Sequence, residues 1–224
     1  MKKLLTAVFI LAAVFLASCG NDVQTHTERH LGSDIPTGGW RDGSIYISPF
    51  FGLQINTTFD TTWREADSDL IAEKVEQEEF FVLDEGALLT AEMFDKSAPL
   101  LPMRDIWMRC VIDTAAISLD VFLPPADVEL ELEQFIMVRI LDLMQAAGAD
   151  AEMLMPTIFD DYVTIGSLEW RVAGLDSESP RQVPSRRFFV NFCDDGLFVR
   201  WITIEVSEVF RLSDAMAILE EISK

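Results

Sequence analysis

The chain has 224 residues, 50% of them hydrophobic, and carries 17 Lys and Arg against 38 Asp and Glu, a formal net charge of −21. Such an excess of acid repels nucleic acid and anionic lipid surfaces, so neither is expected as a charge-driven partner, and it serves to keep a folded domain soluble. With only two histidines and three cysteines, few metal or nucleophile chemistries are open to it.

Lys2 and Lys3 give a basic start, and the apolar run from Leu4 to Leu16, broken only by Thr6, has the length of a signal-sequence core. It is too short to span a bilayer, which takes about 20 apolar residues. The run ends in Leu16-Ala17-Ser18-Cys19, a lipobox: small residues fit the peptidase groove, the Cys19 thiol accepts a diacylglycerol, and cleavage then exposes its amine. The sequence therefore predicts a signal peptide over residues 1–18 and a palmitate-type lipid anchor on Cys19 at the extracytoplasmic face of the cell membrane. Several acyl chains together make such an anchor durable. Cleavage removes Lys2 and Lys3 and no acid, which leaves 15 basic and 38 acidic side chains and a net charge of −23.

Residues 19–39 are polar, rich in Gly, Thr and Asp, and lack apolar periodicity, the pattern of a flexible tether. Residues 40–224 suit one domain, large enough to bury a core without disulfide staples. Cys110 and Cys193 sit in apolar runs. Nothing in the sequence brings them within bridging distance, so buried free thiols are expected, although the compartment permits a disulfide.

Along this domain, Trp40 to Thr58 reads as two short strands around Ser48-Pro49-Phe50-Phe51-Gly52. Asp67-Ser68-Asp69 is a capping cluster before a helix of about Ser68 to Glu79. Phe80 to Leu101 shows no sustained period and is expected as loop. Asp105 to Asp113 and Ala115 to Leu123 are strands rich in β-branched and aromatic residues, closed by Pro124-Pro125. A long helix is expected from a cap at Asp127 to a stop at Gly148. Its stripe is Leu132, Phe135, Ile136, Ile140, Leu143 and Ala147, widened by Met137, Leu141 and Met144.

Tyr162 to Ile165 and Leu168 to Gly174 form a strand pair, and Phe188 to Cys193 joins Phe198 to Val206 through an Asp195-Gly196 turn. That two-residue turn sets Asn191 opposite Arg200 and Val190 opposite Trp201, with Phe188, Val190, Phe192, Val199 and Trp201 on one face. Ser213 caps a closing helix with Ala215, Met216, Leu219 and Ile222 buried. The resulting class is α+β, a mostly antiparallel sheet flanked by helices.

The segment Gly39-Trp40-Arg41-Asp42-Gly43-Ser44-Ile45-Tyr46, then Phe51-Gly52-Leu53, Thr62-Trp63 and an acidic helix start, resembles lipoproteins of clostridial bacteria. The order of the remaining elements resembles the PsbP-like α/β/α sandwich, a fold also seen in the Ran-binding Mog protein. This chain departs from the pattern by lacking a Pro-Glu-Gly before the second Trp and by a longer Phe80 to Leu101 region. The resemblance implies a domain used for binding and assembly, and it carries over no catalytic residue.

His26 and His30 would share a helix face and could hold a metal, but both lie in the tether, without a rigid frame of further ligands. From Trp40 onward there is no histidine, which removes Ser-His-Asp, Cys-His and His-ligated zinc sites. The acid pairs Asp84-Glu85, Asp160-Asp161 and Asp194-Asp195 match no calcium loop, and adjacent residues of a strand point to opposite faces. Turn and surface roles are expected of them.

Arg181, Arg186 and Arg187, flanking Pro180 and Pro184, form a basic cluster expected in a solvated loop, and the methionines from Met137 to Met155 are expected as core filler. No catalytic residue, cofactor or metal is therefore expected. The reading is a non-enzymatic, membrane-anchored envelope module with an envelope protein or glycan as partner. The alternatives are a carboxylate-dependent wall hydrolase, using a pair drawn from residues such as Asp84, Asp160 and Asp161, or a carrier whose apolar cavity lies between the sheet and the long helix.

Overall fold

Long strands whose alternate residues face two different layers decide the architecture. The structure is a computed structural model that describes residues 37–57, 62–94, 101–124, 131–193 (159–161 by backbone alone) and 197–207, with Phe210, Ser213, Ala217, Leu219 and Glu220. All of these fall in one unit, Leu31–Lys224.

The chain opens with β1 (Trp40–Asp42), β2 (Ile45–Ser48) and β3 (Leu53–Asn56), which form an antiparallel three-stranded sheet. Trp40 thus belongs to a strand of its own, one more than the two expected. The second sheet is built from β4 (Trp63–Glu65), β5 (Phe81–Val82), β6 (Met103–Cys110), β7 (Ala116–Phe122), β8 (Leu154–Ile165), β9 (Leu168–Ser177), β10 (Ser185–Phe192) and β11 (Val199–Val206). Its order is β4-β6-β7-β11-β10-β9-β8, with β5 parallel to β6 and every other pairing antiparallel. The class is α+β with a mostly antiparallel sheet, as the sequence reads. The β10–β11 register sets Asn191 against Arg200 and Val190 against Trp201, as the turn length requires, while the Asp195-Gly196 turn lies outside the described residues.

The helices are α1 (Ser68–Glu76) and α2 (Leu132–Ala147). α2 starts later than an Asp127 cap would give: Glu131 is the N-cap, and its N–H donates to Gln134 Oε1 at 3.2 Å. Asp127 itself lies outside the described residues. Phe135, Ile136 and Ile140 are fully buried, each side chain contributing roughly 1.5–3 kcal/mol by leaving water. Leu141 is exposed, so the apolar stripe is narrower than expected. After the stop at Gly148 the chain enters β8 at Leu154, eight residues before Tyr162, and Met155 is an exposed strand residue rather than core.

The eight-stranded sheet has two unlike faces. On one, Phe188, Val190, Val199, Trp201, Phe122, Ala173 and Leu175 pack against α2. On the other, Ile106, Met108, Ile117, Leu119, Val121, Phe189, Ile202 and Ile204 meet Tyr46, Phe50, Phe51, Leu53 and Ile55, so much of this second layer is a small sheet. Leu219 also joins this core, whereas Ala215, Met216 and Ile222 lie outside the described residues.

Phe51 stacks on Trp170 at 6.2 Å between ring centroids, and the buried Arg200 guanidinium donates from Nε to the Phe50 carbonyl at 2.6 Å. The β8–β9 turn reaches the same loop. Gly166, at φ +62°, has no Cβ where one would stand 2.7 Å from the Gly52 carbonyl oxygen.

β6 carries a bulge between Arg104 and Ile106, where Asp105 is the extra residue opposite β7. Asp105 and Ile106 therefore both turn toward the small sheet, while Arg104 and Trp107 face the other way. Asp105 Oδ1 accepts from the Gly39 N–H at 2.8 Å and the Tyr46 hydroxyl at 2.6 Å, and Oδ2 accepts from Ser48 Oγ at 2.5 Å. This carboxylate staples the two sheets.

The staple also corrects the tether boundary. Gly38 donates to the Ala87 carbonyl at 2.8 Å, Thr37 bridges Leu88, and a Cβ on Gly39 would stand 2.4 Å from the Tyr46 ring. Thr37–Gly39 thus belong to the domain. Gly38 and Gly39, which read as linker in the sequence, are needed for close packing.

Candidate functional site

α2 covers only part of its face of the sheet. Toward β6 and β7 that face opens into a cleft of about 740 Å³, bounded by α1 at Leu70 and Lys74, by Phe80, and by α2 at Arg139, Asp142 and Leu143. Its floor follows from strand alternation: Arg104, Trp107 and Arg109 from β6, Ser118, Asp120 and Phe122 from β7, Trp201, Thr203 and Glu205 from β11, and Arg186 with Phe188 from β10.

Cross-strand register makes the charged pairs of this floor. Asp120 stands opposite Arg104, which grips it with two bonds, Nε to Oδ1 at 2.7 Å and Nη2 to Oδ2 at 3.1 Å. Ser118 Oγ also donates to Asp120 Oδ2 at 2.8 Å. Arg186 stands opposite Glu205, its Nε 2.7 Å from Oε1. Aromatic faces hold the guanidiniums: Arg104 lies 4.0 Å from the Phe80 centroid and 5.3 Å from that of Trp107, and Arg109 lies 5.6 Å from Trp107. Trp201 Nε1 donates to Thr203 Oγ1 at 3.0 Å.

Arg139 reaches the cleft from α2 and lies 5.0 Å over the Phe122 ring. Burial pushes its pKa down, the charges of Asp120 and Asp142 push it back up, and those of Arg104 and Arg186 lower it further.

Most of the residues singled out by sequence are not among those that line this cleft. Asp84 and Glu85 are exposed on a turn, where the Asp84 carbonyl accepts from Ala87 N–H and Glu85 Oε1 accepts from Arg41 N–H at 3.1 Å. Asp160 and Asp161 belong to β8, and their side chains, like all of Asp194 and Asp195, are outside what is described. Cys19, His26 and His30 also lie outside it. Cys110 and Cys193 are both buried and are not bonded to one another.

The basic cluster is not a solvated loop. Arg181 is on an exposed turn, but Arg186 and Arg187 are on β10 facing opposite sides, Arg186 in the cleft and Arg187 donating to Asp176 Oδ1 at 2.6 Å. Among the described residues no group of three or more His, Cys, Asp or Glu is placed to hold a metal ion.

Sequence reading weighed only an apolar cavity between the sheet and the long helix and missed the charged floor, yet the signal was present: polar or charged residues at every second position of strands otherwise apolar, as in Ser118-Leu119-Asp120 and Trp201-Ile202-Thr203-Ile204-Glu205.

No protein-family model matches the chain, and no curated protein matches it. Among solved structures it is similar to the cyanobacterial PsbP protein (CyanoP) of Synechocystis, over 83% of this chain and 88% of that one, at 8% identity and a TM-score of 0.36.

Proposed function

We propose that this chain is a lipoprotein held at the extracytoplasmic face of the cell membrane through Cys19, and that its domain is a non-enzymatic binding module of the cell envelope. The observation that carries the binding role is the cleft, a concavity of about 740 Å³ walled by two helices and floored by a rigid sheet. Its acids weigh against hydrolysis by paired carboxylates. Asp120 is already paired with Arg104 and Glu205 with Arg186, so these floor carboxylates are engaged by the protein itself and not free to act as a pair on a substrate. The charged lining likewise weighs against a purely apolar cargo, since burying those ions under hydrocarbon would be costly.

Two measurements test the proposal. Cells fed a radioactive fatty acid should label the wild-type protein and not Cys19→Ala, in which diacylglyceryl transfer and lipoprotein processing are blocked. Unlabelled wild-type protein overturns the anchor. Envelope extracts passed over the immobilised, lipid-bearing protein should leave a glycan, small molecule or protein on the wild type that Trp107→Ala no longer retains. Equal retention by both removes the cleft from the binding role.

A further inference from the structure

Arg139 differs from the other half-buried guanidiniums of the cleft. Arg104 and Arg186 each serve a carboxylate on the neighbouring strand, whereas Arg139 comes from the helical wall and, among the described residues, makes no hydrogen bond and no direct ion pair. Its acidic neighbours act on it only as charges. Asp120 is already committed, its oxygens accepting from both nitrogens of the Arg104 fork and from Ser118.

A Met or Leu at position 139 would cover Phe122 with no ion to desolvate, so packing alone does not explain the residue. A guanidinium offers five donors in a planar fork, which fits a carboxylate or a phosphate with two parallel bonds. Composition does not explain it either, because cations are scarce in a chain of net charge −21.

Two further features narrow the ligand. The cleft is far larger than a bare inorganic anion, so the anionic group belongs to a larger molecule. Acids line the same cleft, Glu78, Glu79 and Asp142 among them, so a polyanion would meet more repulsion than a single anionic group seated on one guanidinium.

We propose that the cleft binds a small ligand through one anionic group, a carboxylate or a phosphate, seated on the Arg139 guanidinium. The inference rests on the binding-module reading above and names the chemistry of its ligand.

The test titrates full-length lipidated protein in detergent with inorganic phosphate and, separately, with benzoate, against chloride at matched ionic strength. Tryptophan fluorescence and the thermal midpoint are followed, and Trp107→Phe identifies the part of the signal that comes from Trp107 on the cleft floor. At least one probe should saturate and raise the midpoint, as a ligand of the folded state does. Arg139→Met should weaken that binding by about tenfold or more while leaving the ligand-free midpoint equal or higher.

Arg139→Lys, which keeps the charge and loses the fork, should fall between, and Arg181→Met, a cation outside the cleft, should bind as the wild type does. Should Arg139→Met fail to fold, Arg139→Lys carries the test, and wild-type affinity in it overturns the proposal. Failure of both probes to saturate, or undiminished binding by a folded Arg139→Met, also overturns it. Envelope capture separates this failure from that of the broader reading: a cleft-dependent ligand retained equally by wild type and Arg139→Met removes the anion seat alone, whereas the absence of any cleft-dependent ligand removes the binding role itself.

Discussion

At the scale of single residues, Asp105 is the most consequential side chain of the stapled interface. Burial pushes its carboxyl above the ordinary range, and the Gly39 N–H and the Ser48 and Tyr46 hydroxyls pull it back only in part. Burial first and the neighbouring Asp105 second hold the Tyr46 phenol protonated far above its ordinary range. An acid whose folded-state pKa is raised binds its proton more tightly in the native state. The stability it contributes is complete below the unfolded-state pKa and is lost as pH rises through the folded-state value.

Asp105→Asn cannot ionise but keeps an acceptor for Gly39 and Tyr46. In urea unfolding from about pH 4 to pH 8, the wild type should lose more stability with rising pH than this variant does. Identical slopes would refute that assignment. Asp105→Ala leaves buried donors without an acceptor and should cost about 3 kcal/mol. Nothing in the sequence around Met103 to Cys110 marks Asp105 as buried, because its partners Gly39, Tyr46 and Ser48 are more than fifty positions away. Local pattern carries no information about such a contact.

Elements were legible where local chemistry is self-sufficient. The β10–β11 pairing follows from turn length and alternation alone, and α2 follows from the spacing of Phe135, Ile136 and Ile140. The start of the domain was not legible, because Gly38 and Gly39 look the same whether glycine is there for freedom or for lack of a Cβ. A chain shortened to begin at Trp40 loses the Gly38–Ala87 and Gly39–Asp105 bonds that one beginning at Thr37 retains. It should be less stable by about 2 kcal/mol, read as a lower urea midpoint with unchanged slope. Equal midpoints would return Thr37–Gly39 to the tether.

For the molecule as a whole, the sheet divides labour between its faces. The face that meets Phe50, Phe51 and Leu53 is packed shut, and rigidity there fixes the strand positions on which the cleft floor depends. Period-two polarity on β7 and β11 announced a polar floor in the sequence. What the sequence withheld was that α2 stops short of β6, since the extent of a helix across a sheet depends on packing angle and not on the helix's own residues.

The bulge in β6 has a consequence for how this chain tolerates changes of length. Removing a residue from a strand ordinarily inverts every side chain beyond the cut. Here, loss of Asp105 would join Met103 and Arg104 directly to Ile106 and Trp107, restoring an unbroken in-out alternation with each of those four residues on its present side. A chain one residue shorter would keep its Arg104–Asp120 pair and its cleft floor and lose only the clasp on Gly39, Tyr46 and Ser48. Asp105 is thus an insertion that the sheet can do without. A single codon adds or removes this polar clasp, while the buried core of Phe50, Phe51 and Leu53 still holds the small sheet in place.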